Sequence, residues 1–194
     1  LSEAMDGVAR EFTTIFGVIL GTGVGGGWVI HRKLIRGPNG LAGEWGHNPL
    51  PAPTSDERHA PRCYCGKSGC IEAWLSGPGL LADYQRSAIG STGHPILTDA
   101  RDVVIAAAQG DLIALATLER HTQRLARALA TIINTFDPET IVLGGGVAQR
   151  PGLIDRLYAI LPAHVFLPPG TELQTRILLP QFGDSSGVRG AARL

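Results

Sequence analysis

Apolar and β-branched residues run together over Thr14–Leu20 (TIFGVIL), which predicts a buried strand. The run delivers straight into Gly21-Thr22-Gly23-Val24-Gly25-Gly26-Gly27. Residues 28–31 and Lys33–Ile35 read as a second and a third strand, the latter after a tight turn. Ahead of them, residues 2–10 carry acids early and Arg10 late behind Ser2, the order of a short helix with a serine N-cap. Further on, apolar positions fall at helical spacing. Thr98 or Asp99 can cap a helix that reaches Gln109, with Val103, Val104, Ala107 and Ala108 on one face and Gly110 at its end. Asp111 caps a much longer helix through Phe136, striped by Leu115, Leu118, Leu125, Leu129 and Ile132. His121 falls among polar neighbours on that helix and reads as solvated.

Asp137-Pro138 stops the long helix, and residues 140–143 form a strand that runs into Gly144-Gly145-Gly146. A helix over 153–161, a strand over 176–179 and a terminal helix over 188–193, capped by Asp184 or Ser185, complete the series. In between lie a loop at 37–43, a proline-rich exposed excursion at 49–62, a short helix at Ile71–Leu75, a helix at 80–87 and a flexible turn at 88–95. Strands alternating with helices after a strand-rich start describe an α/β fold, a mixed sheet flanked by helices.

Composition narrows the class. The 194 residues suit one domain of ordinary size. Seventeen basic and 17 acidic residues cancel to zero formal charge, which argues against a broad nucleic-acid surface. Apolar runs break well short of the roughly 20 residues of a membrane span, and Ser2, Glu3 and Asp6 spoil a signal peptide. The chain opens on Leu1 without an initiator methionine and reads as a piece of something longer.

The chemistry concentrates in GEWGHNPLPAPTSDERHAPRCYCGKSGCIE, residues 43–72. Cys63, Cys65 and Cys70 crowd together with Gly66 and Gly69 between them, and such glycines let the backbone bring three thiolates to one ion. Zinc in a structural site takes four ligands, and His47 and His59 are the nearby imidazole donors. Ordinary buried thiols are the bland alternative. Thiols kept for a metal suit a reducing cytoplasm. Two glycine-rich turns are the other candidates. Gly21-Thr22-Gly23 could admit phosphate oxygens close to its backbone or simply close a hairpin. Gly144-Gly145-Gly146, between strand and helix, could receive a nucleotide or serve as a tight crossover.

Glu44-Trp45-Gly46-His47 and Cys63-Tyr64-Cys65-Gly66-Lys67-Ser68-Gly69-Cys70-Ile71-Glu72 resemble the E-x-G-H and C-x-C-G-x-x-G-C-x-E signatures of the ROK family of sugar kinases and sugar-responsive repressors. The wording GEWGHNPLP…CYCGKSGCIE looks closest to the bacterial fructokinases of that family, and the resemblance runs over nearly the whole chain. It implies the actin/hexokinase-like (ribonuclease H-like) fold, with residues 1–194 as mainly the C-terminal lobe, a zinc-binding insertion at 47–72 and an N-terminal ATPase lobe outside the chain. It implies structural Zn2+ on His47, Cys63, Cys65 and Cys70, and a hexose, fructose by preference, on Glu44, His47 and Glu72. It implies ATP with Mg2+, the phosphates at Gly21, Thr22 and Gly23 and the adenosine against Gly144, Gly145 and Gly146. The general base is expected from an Asn-Asp pair just upstream, so that residues 1–194 alone would be catalytically silent. A cytoplasmic homodimer is the family habit. The rival reading is the effector-binding portion of a repressor, and a zinc-stabilised interaction domain is a third.

Overall fold

The computed structural model describes residues 1–193, the side chain of Asp184 excepted. Five strands form one sheet: β1 Thr14–Leu20, β2 Val24–Ile30, β3 Lys33–Ile35, β4 Thr140–Gly144 and β5 Arg176–Leu178, in the order β3-β2-β1-β4-β5. β1 pairs antiparallel with β2 and parallel with β4, and β4 pairs parallel with β5. The helices are α1 Ser2–Met5, α2 Ile71–Leu75, α3 Gly77–Ala88, α4 Ala100–Ala108, α5 Leu112–Phe136, α6 Leu153–Ile160 and α7 Ser186–Ala191.

Alternation along β1 divides the core. Phe16, Val18 and Leu20 face one way and meet Leu125, Leu129 and Ile133 of α5 together with Ile141 and Leu143 of β4. Ile15 points the other way, into a smaller cluster with Val29, Val142, Ala4 and Ala9. That second face opens toward the end of the strand, where Ile19 is 50% exposed beside a hollow of about 670 Å³. The buried strand of the sequence is thus fully covered on one side only.

Several expectations shift. β2 starts at Val24 rather than at residue 28, so Gly25, Gly26 and Gly27 are strand and the turn is confined to 21–23. The reason is packing: a Cβ on Gly26 would stand 2.6 Å from the Phe16 ring and 2.9 Å from Trp45. The first helix spans only Ser2–Met5, with Leu1 as its N-cap. Ser2 Oγ instead donates to the Ser186 carbonyl, 2.8 Å away. Glu3 is the reason the chain turns back so soon. Its carboxylate accepts the N–H groups of Val8, Gln181 and Phe182 and the hydroxyl of Ser186, tying the first residues to the last. Ser185 Oγ donates to Phe182 O and does not cap α7, while the side chain of Asp184 lies outside the described residues. On α4, Ala106 is buried and Ala108 exposed, the reverse of the expected stripe at that end.

The largest correction concerns α5. His121 is fully buried, not solvated, and its Nε2 lies 3.1 Å from the carbonyl of Leu75, at the last residue of α2. A helix end leaves carbonyls without intrahelical partners, and His121 satisfies one of them. Its polar neighbours are interior too. Arg124, 3% exposed, pairs with Glu57 and Asp83 and lies over the Trp74 ring at 4.4 Å. Arg127 closes on Glu57 at 2.7 Å. The excursion at 49–62 is therefore largely exposed but sinks at Leu50, in the main core, and at Glu57, which a capping box on Thr54 presents to α5. Guanidiniums and carboxylates here satisfy one another, which is what allows polar sequence to run through the interior.

Candidate functional site

The E-x-G-H segment is placed by its two middle residues. Trp45 is buried and donates its indole N–H to Gly25 O at 2.9 Å, inside β2. Gly46 lies so close to the Val24 carbonyl that a Cβ would collide with it. With those two pinned in a 3-10 turn over Trp45–His47, Glu44 and His47 project along the same side as the glycine turn.

Cys63, Cys65, Cys70 and His47 come together, their donor atoms all within 4.8 Å of one another. Cys63 Sγ to His47 Nδ1 is 3.6 Å and Cys65 Sγ to Cys70 Sγ is 3.6 Å. Tetrahedral zinc with Zn–S bonds of about 2.3 Å sets ligand edges near 3.7 Å, so the donor set and its spacing fit that ion. Gly66 and Gly69, at φ 90° and 77°, supply the left-handed turns that close the loop, and bridges of Pro49 to Cys70 and Arg62 to Ser68 hold its base. His59, the other candidate ligand, is outside this group. The Lys67 N–H draws the exposed Cys65 thiol down to about 7, whereas burial pushes Cys70 up to about 12. A bound cation would displace both protons.

Glu72 sits in the first turn of α2 directly behind Cys70. Its carboxylate does not answer the α2 dipole alone. Oε2 accepts the N–H of Val24 at 2.8 Å, and Oε1 lies 3.9 Å from Cys63 Sγ. A Cβ on Gly23 would stand 2.6 Å from Oε2, so a glycine there is what lets the carboxylate reach the strand end.

These parts enclose a cleft of about 330 Å³ that brings Glu44, His47 and Glu72 onto one wall with Gly21, Thr22 and Gly23. Tyr64 lines it too, with its hydroxyl 3.0 Å from His47 Nε2. A second cleft of about 320 Å³ lies on the other side of the turn, between Gly21, Thr22, the starts of α3 and α4, and Gly146. The two clefts share Gly21 and Thr22 as a partition. The three later glycines do different jobs. Gly144 ends β4, Gly145 at φ 90° packs against Leu20 O with no room for a Cβ, and Gly146 alone of them lines the second cleft.

Sequence reasoning missed Tyr64, because nothing in C-Y-C marks which way the tyrosine points. It also missed the contribution of Gly77, Pro78, Thr98 and Ala100 to the second cleft, for which the Ser76-Gly77-Pro78-Gly79 cap was the available signal. Asp6 is exposed and paired with Arg193 at 2.6 Å, away from both clefts.

A mixed five-stranded sheet whose glycine turn divides a carboxylate-lined cleft from a helix-flanked one is an α/β lobe of the actin/hexokinase-like type. The chain belongs to the ROK family, whose family model matches residues 1–194. It is 37% identical over 199 residues to the N-acetyl-D-glucosamine kinase of Yersinia pseudotuberculosis serotype O:1b (strain IP 31758), covering 100% of this chain and 62% of that protein. It is 39% identical over 196 residues to the N-acetylgalactosamine kinase AgaK of Shewanella sp. (strain ANA-3), covering 100% of this chain and 61% of that one. Among solved structures, it superposes on a ROK family glucokinase from Streptomyces griseus in complex with glucose and AMPPNP with a TM-score of 0.84 at 26% identity, over 99% of this chain and 63% of that one. A ROK hexokinase from Thermus thermophilus gives a TM-score of 0.81 at 29% identity, over 98% and 59% of the two chains. The chain thus spans less than two thirds of the length of these relatives. No helix among the described residues is long and apolar enough to cross a membrane.

Proposed function

We propose that this chain is the C-terminal, sugar-gripping lobe of an ATP-dependent hexose kinase. The observation that carries the reading is the partition: one glycine turn, Gly21 and Thr22, is wall to both clefts. Phosphoryl transfer needs the acceptor hydroxyl and the donor phosphate to meet across a short gap, with positioning and electrostatics supplying most of the catalysis. In this reading Glu44 and Glu72 accept sugar hydroxyls, and His47 turns its Nε2–H to the same wall. Gly21, Thr22 and Gly23 lie against the phosphates of ATP with Mg2+, and Gly146 lies beneath the nucleoside. A repressor's effector domain would have no task for the second cleft.

His47, Cys63, Cys65 and Cys70 would hold Zn2+. The ion would serve as a structural clamp that joins the E-x-G-H segment to the α2 segment. With Nδ1 on the metal side, His47 keeps Nε2 toward the cleft. The substrate is a hexose or an N-acetylhexosamine. The fructose expected from the wording of residues 43–51 and 63–72 finds no support in relatives whose names give N-acetylglucosamine, N-acetylgalactosamine and glucose. The base that takes the hydroxyl proton is an aspartate outside residues 1–194, so the isolated chain is silent. The enzyme works in the reducing cytoplasm as a homodimer.

The test is a coupled ADP-release assay on this chain alone and on a longer protein that contains it plus an upstream lobe. Hexose phosphorylation by the longer protein and silence of the chain alone are expected. A longer protein that turns over no hexose with ATP overturns the reading.

A further inference from the structure

We propose that Tyr64 determines the sugar specificity of the cleft, offering its O–H to a carbonyl oxygen so that an N-acetylhexosamine is taken in preference to the plain hexose. The inference rests on the hexose-kinase reading above and deepens it.

Tyr64 sits between two cysteines of the metal group, yet its side chain belongs to the sugar cleft. It is 83% exposed. It is nonetheless held in place. Its ring meets the His47 ring edge-on, centroids 5.2 Å apart at 85°, and its Oη is 3.0 Å from Nε2. Cys63 and Cys65 anchor the backbone on either side.

The direction of that hydrogen bond follows from the other ring nitrogen. Nδ1 faces Cys63 Sγ at 3.6 Å, on the side of the thiol cluster, and with Nδ1 given to the metal, as proposed above, Nε2 is the nitrogen that carries hydrogen. Nε2–H then donates to Tyr64 Oη, and the phenolic hydrogen is left to point outward into the cleft.

The complementary ligand can be read from the donors and acceptors of the wall. Glu44 and Glu72 are acceptors only, and they suit hydroxyls that every hexose carries. A carbonyl oxygen accepts and cannot donate, so neither carboxylate can serve it. Two side-chain hydroxyls line the wall, Thr22 and Tyr64; with Thr22 given to the phosphates in the reading above, Tyr64 O–H is the donor left for a carbonyl, and the phenol ring beside it offers apolar surface to a methyl group. An acetamido substituent presents both a carbonyl and a methyl. A hydroxyl in its place can turn its hydrogen to a carboxylate or to water and loses little without the phenol.

The experiment is isothermal titration of the zinc-loaded protein, upstream lobe included, with N-acetylglucosamine and with glucose. Tyr64→Phe should weaken N-acetylglucosamine about tenfold and leave glucose within about twofold, with zinc content unchanged. In turnover the loss should fall on KM for N-acetylglucosamine, with kcat held. Tyr64→Gln, which keeps an N–H donor, should retain part of the preference. Equal weakening of both sugars, no change in either, or loss of zinc from Tyr64→Phe overturns the assignment. If the unaltered protein binds neither sugar, the hexose reading itself falls. If it binds both and only the Tyr64 comparison fails, that reading survives and the role of Tyr64 does not.

Discussion

Glu72 Oε2 accepts the backbone N–H of Val24 at 2.8 Å, joining the helix behind the cysteine loop to the strand that leaves the glycine turn. One carboxylate therefore faces the first cleft and fixes the edge of the glycine turn at once.

In the longer protein that contains this chain, Glu72→Ala should accordingly lower hexose phosphorylation at least tenfold, while Gly23→Ala, which forces a Cβ to 2.6 Å from Oε2, should lower it comparably. Because both changes break one contact, the double variant should be little worse than either single one. Steady-state kinetics on the three variants measures the coupling, and full additivity would count against a shared role.

Removing the metal should undo the site before the fold. Purified protein is expected to carry one zinc per chain by elemental analysis. Cys63→Ser, or prolonged chelation, should weaken sugar binding in titration and lower Tm, because the metal loop ties His47 to Cys70, at the start of the helix that carries Glu72. Metal-free protein that binds hexose normally would sink the clamp.

The Arg124–Glu57–Asp83 cluster predicts an asymmetric stability response. Arg124→Met leaves Glu57 to Arg127 and Asp83 to the more exposed Arg86 and Arg120, and should cost about 3 kcal/mol in urea denaturation. The cut also removes the cation over Trp74, two residues from Glu72, so sugar affinity should drop with it.

Acid should weaken the protein in a defined window. Burial first, then the charge of Arg150, lowers His121 to about 3. From about 6.5, its ordinary value, down to about 3, the unfolded chain binds a proton that the folded chain refuses, so stability falls as pH falls. Glu57 and Asp83 act in the same direction at lower pH. Burial opposes their ionisation, but the Thr54 N–H with Arg124 and Arg127 outweighs it for Glu57, and Arg124 and Arg120 outweigh it for Asp83. Their depressed carboxyls add stability above the ordinary carboxylate range, and it is lost as pH falls through the folded values. Urea melts at pH 7 and pH 5 should show a smaller loss for His121→Gln than for the unaltered protein. The zinc ligands titrate alike in both, so the difference belongs to His121.

The glycines after β4 should separate folding from nucleotide affinity. Gly145→Ala forces a Cβ into Leu20 O at a positive φ and should prevent soluble expression. Gly146→Ala meets nothing within 4 Å and should fold normally, yet weaken a fluorescent ATP analogue where Gly146 lines the second cleft.

Much of this was legible where local chemistry sets the outcome. β1, β3 and α2 fall where the apolar runs and glycines put them, Asp99 and Asp111 cap their helices, and the cysteine spacing converges with His47. What escaped depends on partners distant in sequence. His121 is interior because the end of α2, 46 residues away, needs a donor. Glu57 is interior because α5 carries two arginines to meet it. Gly26 stands as a glycine within β2 because Phe16 and Trp45 fill the space above it. Tyr64 points into the cleft because His47 holds its hydroxyl there. No window of neighbouring residues contains those facts.

Glu3 collects hydrogen bonds from Val8 on one side and from Gln181, Phe182 and Ser186 on the other. The two ends of the described chain are consequently neighbours, with Gly190 against Leu1 and Ser2. Polypeptide joined at either terminus leaves from one corner of the sheet, and a short linker from residue 193 to residue 1 would make a circular permutant in which new ends could be opened in the exposed 88–95 turn without disturbing either cleft.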